Sequence, residues 1–181
     1  MLNYSVFTGG DRMKTLEEQM SFYAAYHQDP RNKATHFFGV PMIIVSLFIP
    51  LSWIRFEAGP LALTGAIVFA AVVMLYYVFL DAVLAVATTL FTALFLLGAE
   101  WIARQGMLVG WIAFAVLFVG GWIIQLVGHA FEGRKPALVD NLFQIFIAPI
   151  FLCAELFFAL GYRPRLHAAV QERALRLRAG N

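Results

Sequence analysis

The stretch from Leu61 to Trp101 leaves this chain the fewest choices of fold: it is apolar for about forty residues, with one charge, Asp81, in its middle. A membrane-crossing helix needs about twenty apolar residues, so the run is long enough for two crossings and must turn back near Asp81. The only open segments that satisfy their own backbone polar groups in hydrocarbon are helices. An all-α membrane protein is therefore expected, and a composition that is 61% hydrophobic and 13% charged agrees.

Three further apolar segments extend the pattern. Phe37 to Ile54 forms a first span, Leu61–Leu80 and Ala82–Trp101 the second and third, and Met107–Val127 the fourth. Leu142–Leu160 is long enough for a fifth, but it carries Gln144, Pro149 and Glu155. A tail with Arg163, Arg165, Arg173, Arg176 and Arg178 follows, and a true fifth span would export those charges. A re-entrant or kinked helix pair bent at Pro149 is the expectation. The predicted architecture is a polytopic membrane helical bundle of about four spanning helices plus a re-entrant or fifth helix, with amphipathic helices at both ends. It is read as a single membrane domain, 1–181, in three parts: N-terminal amphipathic helices over 15–36, the membrane bundle over 37–160 and a basic amphipathic tail over 161–181. In that tail Leu166, Val170, Ala174 and Leu177 share one face, which suits a helix lying on an anionic leaflet, with His167 beside it at the surface.

A net charge of +2 gives no reason to expect nucleic acid. The lone Cys153 cannot form an internal disulfide and reads as a small buried hydrophobe. Residues 1–12 show no periodicity, and no secretory leader is expected. Asp81 reads as an interfacial turn residue rather than a proton relay, and the 18 phenylalanines mainly as core and lipid-facing packing.

The informative residues are the polar ones at the helix ends. Thr15-Leu-Glu-Glu18 is a capping-box pattern, after which Leu16, Met20, Tyr23 and His27 recur at helical spacing. Asp29-Pro30 ends that helix, a new one starts near Asn32, and His36 follows a turn later. The Pro30 turn permits His27 and His36 to converge. In WIIQLVGHAFEGRKPAL, from Trp122 to Leu138, Gln125, His129 and Glu132 stand four and three residues apart on one helix face. Four spans return the chain to the side where it began, so His27, His36 and His129 come to one membrane face. Arg31, Lys33, Arg134 and Lys135 mark that face as cytoplasmic. Taken singly, His27 and His36 read as helix-end or core histidines before ligands, and the His129 stretch reads equally as a satisfied helix end; their agreement with the topology favours a site.

With four histidines in all, the larger HxxxH and HxxHH clusters of membrane di-iron hydroxylases and desaturases are absent. HExxH, the P-loop, GxGxxG and GxSxG are absent too, which removes the corresponding zinc-protease, nucleotide and serine-hydrolase chemistries. What remains is an imidazole and carboxylate site, a donor set that suits non-haem Fe(II) with positions open for substrate and O2.

The pattern YxxYHxxxxNxxxHxxGxP, carried by Tyr23, Tyr26, His27, Asn32, His36, Gly39 and Pro41, is one of two spaced motifs. The other, WxxQxxGHxFExxxPAL, starts at Trp122 and is followed by Gln144, Pro149 and Glu155. Together they resemble the membrane 2-hydroxy fatty acid dioxygenases of fatty acid alpha-oxidation and phytosphingosine breakdown, over roughly Leu16 to Tyr162. The resemblance implies an Fe(II) enzyme that uses O2 to shorten a 2-hydroxy long-chain fatty acid by one carbon, in membrane lipid. It implies His27, His36 and His129 as metal ligands, with His167 outside the motifs. Glu132 is expected as a fourth ligand or an orienting group, and Gln125, Asn32 and Glu155 as polar groups around the ligands. Arg134 and Lys135, with Asn32 near them, are the candidates for holding the substrate carboxylate. A bacterial inner membrane and the endoplasmic reticulum are both compatible. Two rivals stand beside this reading: a bis-histidine haem electron carrier, and a transporter or scaffold whose polar cluster only fixes helix packing.

Overall fold

The computed structural model of the chain describes residues 13–58 and 61–180. The segment 1–12, read above as lacking periodicity, lies outside the described residues, as does the last residue of the tail. The fold is all-α apart from one short hairpin, and the chain divides into two compact units, one formed by 1–34 with 126–181 and the other by 35–125.

The unit 35–125 is a set of apolar helices. It takes most of α2 (Pro30–Ser52), a hairpin of β1 (Arg55–Ala58) and β2 (Leu61–Thr64), α3 (Gly65–Leu80), α4 (Ala82–Ala103) and α5 (Met107–Glu132) as far as Gln125. Its buried centre is Phe48, Ile49, Ala66, Ala70, Ala99 and Ala103. Small residues dominate because lipid offers helices no hydrophobic reason to associate, so close van der Waals contact must hold them. Where the α2 and α5 backbones meet, a Cβ on Gly39 would lie 2.9 Å from the Gly121 carbonyl oxygen, and one on Gly121 would lie 3.0 Å from that of Gly39. The outer faces carry Val72, Leu94, Leu97, Leu108 and Val116, all exposed. Helices α2, α4 and α5 are long and apolar enough to cross a membrane, while α3 and α7 (Ala148–Ala159) are shorter apolar helices.

Asp81 forms the whole joint between α3 and α4. Its backbone is extended, and one carboxylate oxygen accepts from the N–H groups of Val83 and Leu84, each at 3.0 Å. An aspartate N-cap satisfies the first turn of α4 without glycine or proline, and the turn reading holds. The expectation of a helix from Leu61 is corrected: Leu61–Thr64 pairs antiparallel with Arg55–Ala58, and Thr64 caps a helix that starts at Gly65. A short apolar run has no periodicity to separate strand from helix.

The other unit contains α1 (Leu16–Ala24), the first turn of α2, the end of α5, α6 (Ala137–Asp140), a 3₁₀ turn over Leu142–Phe146, α7 and α8 (Pro164–Ala179). The Thr15–Glu18 capping box forms as expected, with Thr15 N–H donating to the Glu18 carboxylate at 2.8 Å. Pro149 does not kink a longer helix; it stands in the first turn of α7, where its missing N–H costs nothing. At 12 residues α7 is too short to cross, since about 1.5 Å per residue falls well below a hydrocarbon core of about 30 Å. The tail also differs from expectation. Val170 and Ala174 of α8 are buried, α8 packs along α1, and Arg173 pairs with Glu17 and Glu18 at 3.5 and 3.7 Å. An amphipathic stripe looks the same whether its partner is lipid or another helix. His167 is half-buried and stacks on Phe158 with ring centroids 4.7 Å apart.

Candidate metal centre

Each histidine of the cluster is placed by a helix end. His27 follows α1 by one short turn. Its Nδ1 lies 2.7 Å from the Tyr23 carbonyl oxygen, and its ring stacks on the Tyr23 ring at 4.0 Å and 5°. A carbonyl oxygen can only accept, so Nδ1 carries the proton and Nε2 keeps its lone pair for a ligand. The helix α2, which begins at Pro30, brings His36 round. Asp29 caps it by accepting from the Arg31 N–H at 2.8 Å. The Arg31 guanidinium and this backbone bond hold the Asp29 carboxyl down at about 2.

His129 sits in the last turn of α5, which ends in a Schellman motif. Gly133 takes φ 67° and donates to the Ala130 carbonyl at 3.3 Å, and Arg134 N–H donates to the His129 carbonyl at 3.4 Å. The left-handed position explains glycine there. The result is that ligand-capable atoms of His27, His36 and His129 all lie within 4.8 Å of one another. All three residues are buried, at 1%, 1% and 5% exposure, and the His27 and His129 rings meet edge-on at 4.9 Å. Three convergent imidazoles in a buried setting, one with its tautomer already fixed, fit a divalent first-row transition metal. Calcium and magnesium want oxygen ligands, which this donor set lacks.

Glu132, one turn beyond His129, is tied into the protein through both oxygens. Oε2 accepts from Asp29 N–H at 2.7 Å, Gln28 N–H at 3.0 Å and Asn32 Nδ2 at 3.2 Å, and Oε1 pairs with Arg178. Asn32, fully buried, also donates to the Tyr26 carbonyl at 3.1 Å. These bonds join the turn after His27 to the helix end that carries His129.

The remaining candidates lie around this core. Glu155 of α7 pairs with Lys33 at 2.7 Å, and Gln144 is buried, donating to Gln19 at 3.3 Å. Gln125 falls in the unit 35–125, packed where a Cβ on Gly39 would come within 2.7 Å of its Cγ. Lys135 pairs with Asp140 at 2.5 Å, and Arg134 donates to the Arg178 carbonyl at 3.2 Å. Tyr26 donates to Asp140 at 2.5 Å; burial pushes the phenol pKa up, and Asp140 adds to that. Burial also pushes the Asp140 carboxyl up, but the bonds from Lys135 and Tyr26 outweigh it and hold the group below the usual carboxylate range.

Sequence reasoning missed the Tyr23 carbonyl, the Tyr26–Asp140 bond and Arg178. The i, i+4 spacing of Tyr23 and His27 was a visible signal for the first. Nothing in the pattern signals the others, because Tyr26 and Asp140 stand 114 positions apart and Arg178 and Glu132 stand 46 apart.

Comparison with known proteins bears on this geometry. The family model described as "2-hydroxy-palmitic acid dioxygenase Mpo1-like" matches residues 13–160. The curated protein "2-hydroxy-palmitic acid dioxygenase MPO1" of Saccharomyces cerevisiae is 33% identical over 178 residues, covering 90% of this chain and 91% of its own length. No solved structure matches the chain.

Proposed function

We propose, from the premise that the chain belongs to the Mpo1-like family of 2-hydroxy-palmitic acid dioxygenases, that it is an Fe(II)-dependent membrane enzyme shortening 2-hydroxy fatty acids by one carbon with O2. The observation that carries the iron reading is the convergence of three buried imidazoles within 4.8 Å. The reaction closes on two substrates. A 2-hydroxy acid and O2 give the acid one carbon shorter, CO2 and water: the hydroxyl-bearing carbon and the lost carboxyl together release four electrons, the number O2 accepts. No separate reductant is required.

His27, through Nε2, His36 and His129 would hold the metal. Bound there, Fe(II) supplies open positions for the chelating hydroxyl and carboxylate of the substrate and for O2. The Tyr23 carbonyl orients His27 and raises its basicity by accepting from Nδ1. Of the two roles open to Glu132, orientation is the one its bonding favours, because both oxygens are committed to protein donors. Asn32 braces the same carboxylate. Lys33 and Glu155, paired at 2.7 Å, place charge one helical turn from His36, and Gln125 lies one turn before His129. Arg134 uses one of its five N–H donors on the Arg178 carbonyl, so it and Lys135 remain candidates for drawing in a carboxylate. The acyl chain would lie among the apolar helices.

His36 lies near the start of α2 and His129 near the end of α5. An even number of passes would bring these two ends to one face, with α3 taken as a crossing beside α2, α4 and α5. Arg31, Lys33, Arg134 and Lys135 on the same end favour the cytoplasmic face. A haem between two histidines fits poorly, because three mutually close imidazoles leave no porphyrin-wide gap.

The test is elemental analysis of detergent-purified protein beside His129→Ala, then anaerobic Fe(II) loading and incubation with 2-hydroxypalmitate in air. About one metal per chain, lost in the variant, with the C15 acid formed only in the presence of Fe(II), is the expected result. Metal-free wild type that forms no shortened acid would return the histidines to a packing role.

A further inference from the structure

The family match ends at residue 160, before the tail helix α8. The last turn of that helix nonetheless reaches the segments that carry His27 and His129. The Glu132 side chain has no solvent exposure, and a carboxylate so placed keeps its charge only if it is compensated by donors. Three N–H groups meet one of its oxygens, and the Arg178 guanidinium meets the other. The same guanidinium donates to the Ala25 carbonyl at 3.4 Å, and the Arg178 carbonyl in turn accepts from Arg134 at 3.2 Å.

Ala25 is two residues before His27, and Glu132 is three residues after His129. Arg178 therefore touches both of the segments that carry these two histidines. Its side chain is 29% exposed, so the contact is within reach of solvent while its partner is not. The rest of α8 is fastened alongside by Arg173 to Glu17 and Glu18 and by a Gln28–Gln171 bond at 3.2 Å.

We propose that Arg178 is a positioning residue: through Glu132 and the Ala25 carbonyl it holds the turn bearing His27 against the helix end bearing His129. Its effect on metal rests on the function proposed above, whereas its effect on the turn does not. Without Arg178, the charge on Glu132 would have to be met by rearrangement of the Gln28–Asp29 turn, and His27 moves with that turn. Both bonds leave one guanidinium nitrogen, Nη1, so a lysine, with its donors on one nitrogen at the end of a more flexible stem, supplies the charge and part of the bonding.

The experiment uses the full chain in detergent, with Co(II) as the probe and two readouts. One is the affinity and visible absorption spectrum of bound Co(II) under anaerobic conditions; the other is amide exchange at Gln28 and Asp29 without metal. Arg178→Ala should weaken Co(II) binding by about 10- to 100-fold, change the spectrum and speed exchange at both amides. Arg178→Lys should recover part of each change. Arg176→Ala removes the same charge two residues earlier, from an exposed pair with Glu172, and should match wild type. If Arg178→Ala does not fold, Arg178→Gln, which keeps N–H donors, should shift both readouts in the same direction to a smaller degree. Wild-type behaviour of Arg178→Ala, or of Arg178→Gln in its place, in both readouts would overturn the proposal. If wild type takes up no Co(II), the iron reading falls, and exchange at Gln28 and Asp29 alone decides whether Arg178 holds the turn.

Discussion

The core cluster of the unit 35–125 is four alanines set against Phe48 and Ile49; in the other unit the buried side chains include His27, Asn32, Glu132 and Gln144. The first set is held by closeness of approach, which is non-directional and shared over many weak contacts. The second is held by a few directional bonds, each leaving a buried polar group stranded if its partner goes. A protein built this way is expected to tolerate change in its scaffold better than at its helix ends.

The contrast breaks most sharply at Glu132. Glu132→Ala removes the acceptor for four donors and should cost about 3–5 kcal/mol, the range for breaking a buried ion pair, read as loss of folded protein on denaturant titration. In the apolar unit the comparable site is a glycine. Gly121→Leu places a Cβ 2.8 Å from the Ile43 side chain and 3.0 Å from the Gly39 carbonyl, and should cost about 1–3 kcal/mol by overpacking. Equal losses for the two variants would remove the distinction. Tyr26→Phe deletes the bond to Asp140 and should cost about 1 kcal/mol, without changing metal content measured by elemental analysis. Smallest of all, Leu94→Ala on the exposed face of α4 should stay within about 0.5 kcal/mol in the same denaturant titration.

What could be read from the sequence divides along the same line. The helices and the meeting of the three histidines were legible because hydropathy counts the passes and the passes fix which ends come together. Thr15 was legible as a cap because caps are local, needing only neighbours within a few positions; Asp29 and Asp81 were legible as a helix break and a turn, and their capping bonds were not. The bonds of Glu132 were not, since its partners are two backbone N–H groups, the Asn32 amide and an arginine, all far along the chain from it. The tail stripe Val170–Ala174 was visible, but its partner was not: hydrocarbon and α1 ask for the same face. Lys33, read as a topology signal, is also tied to Glu155, a pairing the sequence reading did not make. The β1–β2 hairpin escaped because Leu61–Thr64 continues the apolar run without a change of composition.

The joint at Asp81 has a consequence for how the protein is made. A connection one residue long gives α3 and α4 no slack, and the two helices are packed along each other. At 16 residues α3 is a weak candidate for release into lipid by itself, whereas α4 follows at once with 22. The pair is therefore suited to enter lipid as one hairpin, with α4 supplying the length that α3 lacks and the capped aspartate at the hairpin's tip.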